Sequence, residues 1–222
     1  MNIENGGEMD RTARTFQLLE SFIHDTNIEA CTDHEDMRIG SLMDEGNIIK
    51  AMIVKFGEEN IKVPRTRHWY DVLFFGIPLA IKSSDFKKKA SDNWSSKTAI
   101  LWAFSNMSLE EFENSPQSRN LRHQDFQNYL RALRPKPSLD PVHANDIWIL
   151  ILDKGTGQLH LNSLMGLSKL TPNGNNLPFQ ICWAKNTVPV GRSISESYKF
   201  ITDSYKESVR KKVSVHDGFE SI

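Results

Sequence analysis

The sequence predicts an α/β fold in which a central mixed β-sheet is flanked by helices. Three observations carry this expectation. Residues 69–84 contain two apolar runs of strand composition, Trp69–Phe75 and Leu79–Ile81, with turn signals at Gly76 and Pro78 between them. Asp146–Asp153 is the most hydrophobic run of the chain, short, β-branched and bounded by turn residues, which marks a buried central strand. Apolar residues recur at helical spacing before, between and after these strands.

Taken in order, residues 1–10 are polar and read as a flexible leader, 11–212 as one globular domain and 213–222 as a mobile tail. Phe16, Leu18, Leu19, Phe22 and Ile23 predict a first helix ending near Asp25, and residues 31–37 a loop. Ile39, Leu42, Met43, Ile48, Ile49, Met52, Ile53 and Phe56 predict a second helix that stops at Gly57. On this helix Glu45 lies beside the apolar face, where by itself it reads as a solvated acid.

Lys62, Arg65, Arg67 and His68 lead into the hairpin with no acid between them, as a phosphate-contacting strip or as a solvated basic loop. After Lys82 a polar stretch leads to a helix over 95–104, with Ser91 or Asp92 as its cap. Ser108-Leu-Glu-Glu111 is a helix start, and Phe126, Tyr129, Leu130 and Leu133 form a further helical face.

Arg119 and Asn120 fall in a polar segment that either reads bases or is an ordinary surface loop. The turn Lys154-Gly-Thr-Gly157 joins the central strand to a hairpin partner at 158–162, and Phe179–Trp183 is a short strand. Lys185, Asn186, Arg192 and Ser193 follow on loops, where such side chains grip phosphates or simply face solvent. Ser193 or Ser195 caps a last helix carrying Tyr198, Phe200, Ile201, Tyr205 and Val209.

Asp71 and Lys82 interrupt the two apolar runs of the hairpin. Charges at apolar strand positions are costly unless paired, hydrogen-bonded or bound to a metal, so the two read as a structural ion pair or as chemistry. An acid on one strand and a lysine at the end of the next resembles the catalytic hairpin of the PD-(D/E)XK nucleases, Type II restriction endonucleases in particular. The Lys82-Ser83-Ser84 strand end, the later Asp92-Asn93 and the helix from Lys97 to Phe104 extend the resemblance over roughly residues 38–105. Ala80 stands where that family carries its second acid. Either another acid replaces it, from among Glu45, Asp85 and Asp92, or position 80 holds an inactivating change.

The resemblance implies a restriction-endonuclease-like core and sequence-specific, Mg²⁺-dependent hydrolysis of double-stranded DNA. Asp71 and Glu45 would hold the metal, and Lys82 would act on the water or the developing charge. Arg65, Arg67, His68, Ser83, Ser84, Lys87, Arg119, Asn120, Lys185, Asn186, Arg192 and Ser193 would contact the duplex. A homodimer would address both strands. The other readings are a non-cutting DNA-binding relative and a repair or junction nuclease that selects structure.

Composition sets the frame. With 222 residues, 39% of them hydrophobic, the chain can bury a core, and its net charge of −1 requires any nucleic-acid contact to come from local basic clusters. Two cysteines far apart exclude a disulfide framework or a zinc ribbon and suit a cytoplasmic location. No run of about 20 apolar residues suggests a membrane span.

Overall fold

A two-residue turn at Phe75 and Gly76 sets the sheet. Both residues have positive φ, 49° and 85°, the geometry that lets a tight hairpin follow the twist of its strands. It joins β2 (Val72–Phe74) to β3 (Ile77–Ser84), antiparallel, with Phe74 opposite Ile77 and Val72 opposite Leu79. Pro78, expected in the turn, lies inside β3 opposite Leu73. Its missing N–H falls on the side where the next neighbour begins only at Leu79, so no ladder bond is lost.

The structure is a computed structural model describing residues 5–31, 37–65, 68–94, 96–119, 121–133, 145–175 and 178–217. The main sheet has five strands in the order β1-β2-β3-β5-β6, with β1 at Ile61–Lys62, β5 at Trp148–Asp153 and β6 at Leu159–Ser163. β3 and β5 run parallel and every other neighbour is antiparallel, so the sheet is mixed and β5 is interior, as its composition predicts.

Alternation along the strands divides the core in two. Leu79, Ile81, Leu150 and Leu152 face Leu19 and Phe22 of α1 (Asn5–Asp25) and Ile48 and Met52 of α2 (Met37–Phe56). Ala80, Ile149 and Ile151 face the other way. They meet α3 (Lys97–Ala103), α4 (Leu109–Asn114), α5 (His123–Ala132) and α6 (Ile194–Asp217). A second sheet joins this layer, ordered β4-β8-β7, with β4 at Asp92–Trp94, β7 at Thr171–Pro172 and β8 at Phe179–Ile181.

Local signals place the helix starts. Ser108 and Glu111 form a reciprocal capping box, and Ser193 Oγ accepts the Glu196 N–H at the head of α6. One expectation is corrected. Ser96, not Ser91 or Asp92, caps α3 by accepting the Ala99 N–H, and Asp92 lies in β4 opposite Ile181. α1 begins inside the 1–10 stretch and α6 continues into 213–222. No described helix is long and apolar enough to cross a membrane.

Asp146 enters β5 with φ 47°. Its carboxylate turns inward and accepts the N–H groups of Ile147 at 2.7 Å and Met165 at 3.2 Å. Burial nevertheless pushes its pKa up to about 6 from 3.8, against the pull of those bonds. The folded state therefore holds this proton more tightly than the unfolded chain. The resulting stabilisation is complete below pH 3.8 and is lost as pH rises through about 6. At 1.36 kcal/mol per unit the change is about 3 kcal/mol. Urea denaturation of wild type and Asp146→Asn is expected to show their stability gap moving toward wild type by most of that amount, about 2 kcal/mol, between pH 7 and pH 4. A gap independent of pH would refute the assignment.

Candidate active site

β2 begins only at Val72, one residue after Asp71, while its antiparallel neighbour β3 runs on past that point to Ser84. The Ile81 N–H on that side of β3 thus has no strand backbone to bond. The Asp71 carboxylate fills the vacancy, Oδ2 accepting the Ile81 N–H at 2.6 Å. The same oxygen lies 3.4 Å from Lys82 Nζ. Lys82 shares the face of Ala80 by alternation, and both it and Asp71 keep part of their surface open to solvent. A carboxylate anchored to backbone beside a partly exposed ammonium is the arrangement of a structural ion pair or of a reactive site.

Two further carboxylates act on this pair. Burial pushes the Glu45 carboxyl above its ordinary value, the negative charge of Asp71 pushes it further, and Lys82 opposes both. Glu45 thus lies within electrostatic reach of the Asp71–Lys82 pair. Asp92 is also raised, first by burial, with the Trp183 side chain, Lys82 and Lys154 pulling it down. Lys82 is therefore common to Glu45, Asp71 and Asp92. The Ser83 hydroxyl is a buried atom with no hydrogen-bond partner among the described residues. The cluster sits at the carboxyl end of the parallel pair β3/β5, the end at which open α/β sheets place their ligand crevices.

Asp44 explains how α2 is aimed. Its fully buried carboxylate pairs with Lys154 Nζ at 2.8 Å and accepts the Cys31 N–H at 2.7 Å. Lys154 in turn donates its backbone N–H to the carbonyl of Ser84. The pair ties α2 to the ends of β3 and β5 one residue before Glu45. Sequence reasoning passed over Asp44, although it lies one helical turn before Ile48 on the apolar stripe. Asp85, by contrast, pairs with Lys88 and accepts the Lys87 N–H in the turn after β3.

The expected DNA contacts divide. Arg65, Lys87, Arg119 and Lys185 are exposed, and Ser84 is buried. His68 Nε2 is 3.0 Å from Glu113 Oε1, the atom to which Tyr70 donates its hydroxyl. Ser193 serves the α6 cap. Arg67 and Asn120 lie outside the described residues.

Asn186 and Arg192 each bind the backbone around them. Asn186 is fully buried; its amide donates to the carbonyls of Lys169 and Cys182 and accepts from the N–H groups of Ser168 and Lys169. Arg192 donates to the carbonyls of Met165 and Leu167 and stacks over Phe200 at 4.2 Å. Arg192→Ala is therefore expected to cost about 1–3 kcal/mol of stability in chemical denaturation, and to leave duplex affinity near wild type. A loss of affinity with unchanged stability would restore the groove reading.

No family model matches the chain, and no curated protein does. Among solved structures it is similar to a restriction endonuclease in complex with substrate DNA. The likeness has 18% identity and a TM-score of 0.28, over 64% of this chain and 56% of that one. The matched part spans little more than half of that protein.

Among the described residues, no three His, Cys, Asp or Glu side chains converge into a ready-made metal cage. The donors present suit a different kind of binding. Mg²⁺ takes hard oxygens, retains waters and is commonly held by one or two carboxylates together with substrate phosphate. Asp71 and Glu45, whose charges repel each other, supply that number.

Proposed function

We propose that this chain is a Mg²⁺-dependent endonuclease that cuts double-stranded DNA at specific sequences, in the manner of Type II restriction enzymes of the PD-(D/E)XK superfamily. The observation that carries the reading is the double role of Asp71, which is fixed by the Ile81 N–H and faces Lys82. Glu45 and Asp92 are electrostatically tied to the same lysine. A bound Mg²⁺ would neutralise the scissile phosphate and lower the pKa of a water.

The chain's own residues supply the rest. Asp71 and Glu45 would hold the cation. Asp92 takes the part of the acid that Ala80 cannot play. Lys82 holds the attacking water by hydrogen bond and balances charge as it develops on the phosphate. Exposed Arg65, Lys87, Arg119 and Lys185 contact backbone phosphates. A homodimer brings one such site to each strand.

Ala80 favours a second reading, a relative that binds duplex without cutting it. Incubating supercoiled plasmid with the purified chain, with Mg²⁺ and with chelator, tests both. Discrete Mg²⁺-dependent fragments are expected. Binding without any cleavage would replace the first reading by the second, and cleavage confined to branched or damaged DNA would point to a structure-selective nuclease.

A further inference from the structure

The strand registers put a second polar side chain on the face that carries Lys82. Lys82 lies opposite Ile151 across β3 and β5, and Ile151 lies opposite His160 across β5 and β6. Residues opposite one another in a sheet share a face, so Lys82, Ile151 and His160 form one row across the carboxyl end of the parallel pair. Ile151, in the middle of the row, is fully buried, whereas Lys82 and His160 on either side of it are partly exposed.

His160 is held in place with its polar atoms free. Its ring stacks on Phe86, the centroids 5.3 Å apart and the planes at 30°. Phe86 is anchored in turn, its N–H donating to Asp153 Oδ1 at 3.3 Å, and it packs against the apolar cluster that holds Ile151. Among the described residues neither ring nitrogen of His160 has a hydrogen-bond partner. Burial pulls the imidazole below its ordinary value, with the Asp153 carboxylate opposing, so at neutral pH the ring is uncharged and offers one N–H donor.

We infer that His160 is a phosphate contact of the site, its N–H donating to a non-bridging oxygen of the phosphate next to the one that Lys82 faces; the inference rests on the nuclease reading for its ligand. Two strand spacings, roughly 10 Å, separate the two backbones. That is too far for both side chains to grip one oxygen, and it suits neighbouring groups along one strand of a duplex. The DNA strand then crosses β3, β5 and β6 instead of following them. Lys87 continues the line: a Cβ placed on Gly155, in the turn between β5 and β6, would lie 3.8 Å from Lys87 Cε, so this exposed lysine runs over the turn beside Phe86. An uncharged donor between two lysines fixes the backbone without opposing a cation at Asp71.

Two variants separate a contact from packing. His160→Phe keeps an aromatic ring on Phe86 and loses the N–H; His160→Gln keeps an N–H donor and loses the ring. Equilibrium binding to a fluorescent duplex of random sequence, with chelator present so that nothing is cut, reads the backbone contacts alone. His160→Phe is expected to weaken binding about tenfold and to melt as wild type does, whereas His160→Gln binds within about twofold of wild type and melts lower. Wild-type affinity in His160→Phe, or an equal or larger loss in His160→Gln, would make the ring a packing element and overturn the inference. The outcome is read apart from cleavage. A wild type that binds and never cuts, with His160→Phe weakened, keeps the contact and removes the nuclease; a wild type that cuts, with His160→Phe binding normally, removes the contact alone; a wild type that binds no duplex removes both.

Discussion

Replacing Asp71 with asparagine is expected to abolish Mg²⁺-dependent cleavage, slowing it by about 10³-fold or more, with the fold and duplex binding retained. The substitution is chosen for what it keeps. Asn presents a carbonyl oxygen to the Ile81 N–H, which Asp71 now satisfies at 2.6 Å, so the end of β3 is not left with an unpaired donor. What it removes is the negative charge that faces Lys82 and raises the Glu45 carboxyl. Alanine removes both and confounds a loss of chemistry with a fraying sheet. Plasmid linearisation rates and a competition binding curve on the same preparation make the comparison, and cleavage near the wild-type rate in Asp71→Asn would sink the assignment.

Asp92→Asn is expected to reduce cleavage by about 100-fold, and Ala80→Asp in that background to recover at least tenfold of it. Position 80 lies on the face of β3 that carries Lys82, buried among Ile149 and Ile151. A carboxylate there is costly unless a cation receives it, so Ala80→Asp alone is expected to lower stability by about 1–3 kcal/mol and to leave the rate unimproved. The double substitution asks whether the site needs a third acid from whichever strand provides it. If Asp92→Asn cuts as wild type does, Asp92 is a structural partner of Trp183 and Lys154 and the site works with two acids. If Ala80→Asp alone raises cleavage by orders of magnitude, the chain as it stands is a disabled form.

The parts of this fold legible in the sequence are those whose signals are local. Wrong periodicity would have moved Ile48 and Met52 off one helical face, and the apolar run of β5 has no polar alternation to suggest an edge. Ser108 with Glu111 announced α4 by side-chain chemistry alone. The second sheet was hidden because its strands are two or three residues long and pair across large sequence separations, as Asp92 does with Ile181. Asp92 therefore looked like a helix cap. The duties of Asn186 and Arg192 were hidden for a related reason. Their partners are backbone carbonyls and amides of residues 165–169 and Cys182, which folding alone brings to them. Asp71 and Lys82 could be singled out because a charge in an apolar strand stands out in any context; which acids join them depended on where α2 and β4 came to lie.

The bond between the Asp71 carboxylate and the Ile81 N–H gives the site a built-in reporter. That amide exchanges with solvent only when the carboxylate swings away or the strand end opens, so its deuterium uptake measures how long Asp71 stays in place. A cation drawing on the same carboxylate must either share it, leaving the amide protected, or pull it off, exposing the amide. Titrating Mg²⁺ while following this one proton distinguishes a carboxylate that receives metal where it stands from one that must first leave the sheet, in the absence of any substrate.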